Sequence, residues 1–130
     1  MRALVRTAHG VYAVDLEEEE VLGLEPDAQV PDVAAVGVSL PRLVASAESG
    51  STVVAVVDRR PPLAISNDAG ATWREAGGGL PAGRAVAIAP DDPDLVLYAA
   101  RNRLFLSRDG GRFWHVLVAE LPEIEAVAFD

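Results

Sequence analysis

The chain contains no cysteine. Disulfides, thiolate zinc sites and cysteine nucleophiles are therefore excluded. It has no lysine either: its 11 basic residues are all arginine, set against 20 aspartates and glutamates for a net charge of −9. That balance excludes a general nucleic-acid binder, because phosphate neutralisation needs clustered basic side chains. The missing lysine points to a GC-rich genome. The acid excess suits a salt-rich, halophilic cytoplasm, where carboxylates keep a surface hydrated, and ordinary acidic solubility accounts for it as well. No apolar run approaches the roughly 20 residues of a membrane helix. Met1-Arg2-Ala3-Leu4-Val5-Arg6 offers no apolar signal-peptide stretch. A cytoplasmic protein that binds neither membrane nor nucleic acid is expected. What is present suffices for a fold: 130 residues fit one domain, and half are apolar, enough for a core.

The most informative feature is an internal repeat. Ser66-Asn67-Asp68-Ala69-Gly70-Ala71-Thr72-Trp73 aligns without gaps with Ser107-Arg108-Asp109-Gly110-Gly111-Arg112-Phe113-Trp114, so Ser, Asp, Gly and Trp recur 41 residues apart. The register continues downstream. Leu80-Pro81 matches Leu121-Pro122, and residues 85–89 match 126–130, at the same offset. A period near 41 is that of a four-stranded propeller blade.

The local patterns agree with strands. Val53-Val54-Ala55-Val56-Val57, Leu95-Val96-Leu97-Tyr98 and Arg103-Leu104-Phe105-Leu106 are short, apolar and β-prone. Turn residues separate them at 59–62, 77–79 and 90–94. One blade is expected to use strands at 84–89, 95–100, 103–107 and 113–118, and the preceding blade strands at 43–47, 52–58, 63–66 and 73–76. No segment carries a sustained helical period; residues 17–21 are the best nucleus and are too few.

The octet explains itself as a turn. Asp68 and Asp109 can accept hydrogen bonds from amides of their own loops. Gly70 and Gly111 supply a positive φ at no steric cost. Ser66 and Ser107 can tie the start of each loop to its end. Trp73 and Trp114 open the outer strand and bury a large surface against the sheet. The two octets resemble the Asp-box, or bacterial neuraminidase repeat, of sialidases, sortilin-type receptors, some glucanases and photosystem assembly-factor propellers. The resemblance covers residues 40–130 well and the N-terminal third weakly. It implies the fold, with the box as a turn between a blade's third and fourth strands, remote from the functional site.

Residues 3–15 look like the second and third strands of a blade, turning at His9-Gly10. Leu16-Glu17-Glu18-Glu19-Glu20 follows where the octet should stand, so the octet is absent there. Either 21–24 or 33–38 supplies the outer strand of this first blade. The expected organisation is a single all-β domain of about three propeller-type four-stranded blades. Residues 1–41 form a degenerate blade, 42–81 and 82–122 the octet-bearing blades, and 123–130 a closing strand. Propellers have about four to eight blades. Closure to a six-bladed ring is therefore expected by homodimerisation, with residues 123–129 of one copy joining the N-terminal strands of the other.

No catalytic constellation is apparent. Among 20 acids some pair always sits at a glycosidase-like distance. The sialidase resemblance would imply an arginine cluster, a tyrosine and an aspartate in a central pocket. Tyr12 and Tyr98 are the two tyrosines, and Arg42 and Arg84 flank expected inner strands; both arginines read as solvated strand ends. His9 and His115 are isolated, His9 as a turn residue and His115 as a solvent-facing outer-strand residue, so no metal site is expected. Asp91-Asp92-Pro93-Asp94 reads as a turn rather than a calcium loop. Glu17 to Glu20 read as a solvated acidic loop. Gly77-Gly78-Gly79 lacks the lysine and helix of a phosphate loop. No cofactor is expected. The expected function is a non-catalytic propeller scaffold or binding module for a protein partner, with a carbohydrate-binding or sialidase-type glycoside-hydrolase-like protein as the alternative.

Overall fold

A computed structural model describes residues 1–31 and 40–130. These residues form three four-stranded antiparallel sheets and no helix. Blade 1 runs from its inner to its outer strand as β12 (Ile124–Phe129), β1 (Arg2–Thr7), β2 (Gly10–Asp15) and β3 (Glu20–Leu24). Blade 2 is β4 (Leu43–Ser49), β5 (Thr52–Val57), β6 (Leu63–Ser66) and β7 (Arg74–Ala76). Blade 3 is β8 (Ala85–Ala89), β9 (Asp92–Ala100), β10 (Arg103–Ser107) and β11 (His115–Glu120). The all-β, blade-type architecture expected from the repeat is present. Among the described residues no helix is long and apolar enough to cross a membrane.

Blade 3 explains why its strands read as continuous apolar runs. Alternate residues of one strand point to opposite faces, and both faces of this sheet are covered. Ala85, Ala87, Leu97, Ala99, Leu104 and Leu106 face blade 1, where they meet Ala3, Val5, Val14, Ile124 and Val127. Val86, Ile88, Val96, Tyr98 and Ala100 face blade 2 and meet Val54, Val56, Leu63 and Ile65. One sheet thus serves two cores.

The structure moves several expected boundaries. β3 settles the outer strand of blade 1 at Glu20–Leu24, Leu24 lying opposite Tyr12; the competing run at 33–38 lies outside the described residues. β11 begins at His115 rather than at 113, because the Phe113 amide is committed to the Asp109 carboxylate and cannot join the ladder. β9 starts at Asp92, so only Pro90 and Asp91 make the turn. Pro93 is tolerated because it lies in the bulge between the Ala89–Asp92 and Ile88–Val96 pairs, beyond the end of β10 at Ser107.

Chain closure also differs from the expected exchange between copies. β12 pairs with β1 of its own chain: Ala3 lies opposite Phe129, Val5 opposite Val127 and Arg6 opposite Ala126. The cause is the short link between β11 and β12. Leu121 N–H donates to Asn102 O at 3.1 Å and Ile124 N–H to Arg101 O at 2.6 Å, which sets β12 down beside its own blade 3. There it buries Ile124 and Val127 in the core shared with blade 1. Arg2–Asp130 at 2.7 Å and Arg6–Glu125 at 3.3 Å bracket the seam.

Candidate functional site

The two octets occupy equivalent positions, each joining the third strand of its blade to the fourth. In the first, Ser66 Oγ donates to Asp68 Oδ1 at 2.7 Å and accepts from Gly70 N–H at 2.8 Å. Asp68 in turn accepts from Thr72 N–H at 2.8 Å and from the Thr72 hydroxyl at 2.6 Å. In the second, Ser107 Oγ donates to Asp109 Oδ1 at 2.8 Å and accepts from Gly111 N–H at 2.9 Å, while Phe113 N–H reaches Asp109 Oδ1 at 3.0 Å. The Thr72 hydroxyl, then the Thr72 amide and Ser66, hold the Asp68 carboxyl down to about 2. Asp109 is lowered by the Phe113 amide first and the Ser107 hydroxyl second. Gly70 and Gly111 adopt φ values of 92° and 89°.

These turns also join blades. Arg74 of blade 2 donates to Gly110 O at 2.8 Å. A Cβ on Gly111 would stand 2.6 Å from Ile65 Cδ1 of blade 2. Trp114 Nε1–H closes its own turn on Gly111 O at 3.0 Å, and the ring meets Tyr98 edge-on. The Ser and Asp side chains and the Gly70 and Gly111 amides of the octets are engaged inside their own turns, so the octets build the frame of a site rather than the site.

The inner strands make the concave feature. β4, β8 and β12 surround a groove of about 780 Å³. Their beginnings are joined by the Arg84–Glu123 pair at 3.5 Å, and the far ends of β4 and β8 by Ser49 Oγ donating to Pro90 O at 3.1 Å. Small side chains, Ala45, Ala47, Ala87, Ala126 and Ala128, form much of the lining, with Val44 exposed among them. Two carboxylates reach the groove. Glu125 is ion-paired to Arg6, and Glu48 has no ion-pair partner among the described residues. Arg84 lines the groove, as its place beside an inner strand allowed; Arg42 does not, and its carbonyl accepts Asp58 N–H at 2.9 Å.

A second cleft, of about 470 Å³, lies where the Leu16–Glu19 turn meets the outer part of blade 3. Two expectations fail here. His115 faces solvent as expected but is not isolated: Glu19 Oε2 lies 2.9 Å from its Nε2. Nor is Glu17 to Glu20 simply a solvated loop, because Glu19 Oε1 also accepts Val118 N–H at 2.9 Å, clasping blade 1 to the outer strand of blade 3. These bonds, that to His115 first, lower the Glu19 carboxyl. Asp15 does the octet's work in this turn by accepting the Glu17 and Glu18 amides, each at 2.9 Å. No local pattern announces the clasp, because its partners are 96 and 99 residues apart.

The remaining candidates are accounted for by structure. Tyr98 is sealed in the core, its hydroxyl donating to Pro81 O at 2.6 Å and pushed up to about 12 by burial. Tyr12 packs on the other core. Asp92 Oδ1 accepts Asp94 N–H at 3.1 Å across the bulge at the start of β9. His9 lies in the β1–β2 turn, its amide donating to Thr7 Oγ1 at 3.1 Å. Among the described residues no group of three or more histidines and carboxylates gathers as metal ligands would.

No protein-family model and no curated protein matches the chain. Among solved structures it is similar to the crystal structure of a GH74 enzyme from Niastella koreensis, at 21% identity and a TM-score of 0.49. The similarity covers 89% of this chain and 18% of that one, so the chain spans less than a fifth of that protein's length.

Proposed function

We propose that this protein is a non-catalytic, propeller-type scaffold that seats an extended segment of a protein partner along its inner-strand groove. The observation that carries the reading is the lining of that groove. Alanines on all three inner strands keep the walls low, so a partner backbone can approach closely, and exposed Val44 offers it an apolar contact. We read the two octets as Asp-boxes; the support is their shared hydrogen bonds from Ser to Asp and from Gly N–H to Ser.

The carbohydrate reading rests on Glu48 and Glu125 sharing the groove, since glycosidases act through paired carboxylates. It has less support, because Arg6 engages Glu125 and both tyrosines belong to cores. For the other expected partner, a second copy of the chain, the support is the apolar side chains exposed on the outer parts of blades 1 and 3, Leu22, Leu24, Phe113 and Val118. Sedimentation at micromolar concentration tests it, a mass of 13.7 kDa refuting the dimer.

The groove is tested by titrating labelled peptides of alternating valine and alanine, following backbone amide shifts. Shifts confined to β4, β8 and β12, with at least about tenfold weaker binding by Val44→Asp, are expected. Shifts confined to the Leu16–Glu19 cleft, or no binding, would refute it.

A further inference from the structure

We infer that the segment seated in the groove carries a basic side chain, placed against Glu48. The inference rests on the groove reading above and adds the chemistry of the occupant.

The groove is polarised along its length. At the beginning of the inner strands the charges cancel in pairs, Arg84 with Glu123 and Arg6 with Glu125. At the far end Glu48 stands without an ion-pair partner among the described residues, and the adjacent Ser49 hydroxyl is already committed to Pro90 O. The whole chain carries a net charge of −9, so its field attracts a basic segment from any direction, and the unpaired Glu48 supplies the local preference. An occupant that left Glu48 covered and unpaired would pay its desolvation with no return. A basic side chain removes that penalty.

Val44 also lines the groove, at the bulge where the β4–β5 register shifts between Leu43 and Ala45, so the occupant's apolar contact there is independent of strand alternation.

Fluorescence anisotropy with five-residue peptides tests this on the full chain. The probe has valine at its first and third positions, alanine at its second and fourth, and lysine at its fifth; the reversed sequence covers the opposite orientation. We expect it to bind about three- to tenfold tighter than the peptide with glutamine at the fifth position, and the glutamate peptide to bind weakest. The preference should shrink in 0.5 M salt, where the Debye length is only a few ångströms. It should disappear in Glu48→Gln, an exposed position where the variant will fold. Equal binding of the three peptides, a preference for glutamate, or a lysine preference that survives in Glu48→Gln overturns the inference while leaving the groove reading in place. If none of the peptides binds, the groove reading fails and takes this inference with it.

Discussion

Gly83→Ala is the most demanding test of the packing described above. Gly83 is not among the residues with positive φ, so the backbone accepts alanine and only space decides the outcome. The space is filled: a Cβ there would overlap Oη and Cζ of Tyr98 and stand 2.6 Å from Cε1. Tyr98 cannot yield. It is wholly buried, its hydroxyl is fixed on Pro81 O at 2.6 Å, and its ring meets Phe105 and Trp114 edge-on at centroid distances of 6.0 and 5.8 Å. Overpacking of a rigid core costs about 1–3 kcal/mol, and a contact this close to a fixed ring belongs at the upper end. For a domain of this size, between the ranges where about 4–8 °C and 2–4 °C per kcal/mol apply, the melting temperature should fall by roughly 8–15 °C. Tyr98→Phe alone should cost about 1 kcal/mol through the lost hydrogen bond. In Gly83→Ala/Tyr98→Phe the overlap with the hydroxyl is gone, so the two losses should sum to less than their separate values. Differential scanning calorimetry of the four proteins reads the cycle. A Gly83→Ala melting temperature within about 2 °C of the parent, or strict additivity, would refute this account of the blade 2–blade 3 core.

Two further predictions concern the polar frame. Asp68 has a folded-state value near 2, below its ordinary 3.8, so its contribution to stability is complete above the ordinary value and is lost as the pH falls toward 2. The stability difference between the parent and Asp68→Asn should therefore shrink between pH 4 and pH 2; a difference that stays constant in denaturant titrations across that range would count against the turn geometry. Glu19→Ala frees the Val118 N–H and releases His115, so amide exchange at Val118 should accelerate by about tenfold or more while that of buried Leu117 is unchanged. Unchanged exchange at Val118 would mean that the clasp does not hold in solution.

The architecture was legible because the repeat writes the same instructions twice. The Ser, Asp, Gly and Trp of each octet perform their work within eight residues, so spacing alone discloses it. The uninterrupted apolar runs around Val54 and Leu97 disclose a sheet covered on both faces. What escaped the sequence depends on contacts without local register. The 41-residue period does not say whether residues 124–129 complete their own blade or another copy's, because the strand is equally suited to both. Its immediate neighbours decide, through the Ile124 bond to Arg101 and the pairing with Arg6. The Glu19–His115 clasp joins a run of four glutamates to a lone histidine, neither of which carries a motif. Gly83 looks like one more turn glycine, although its reason is the Tyr98 ring. The groove was hidden in the plainest residues of all, alanines that read as core filler and become a lining once three inner strands meet.

Blade 3 connects these observations. β8 sends Ala85 and Ala87 toward blade 1 and Val86 and Ile88 toward blade 2, which places the strand between β12 and β4. Those three strands are the walls and floor of the groove. Groove width is therefore set by two apolar cores and not by residues that face the groove. The tight fit of Gly111 against Ile65 and the packing of Tyr98 among Val54, Val56, Leu63 and Ile65 fix blade 2 relative to blade 3, and the short link into β12 fixes blade 1. A close-packed interior resists small displacements, so the groove keeps a fixed width. Preorganisation of this kind lowers the entropy lost on binding. On the proposed reading, it would let a shallow alanine-lined surface select an extended segment that a mobile surface would hold too weakly.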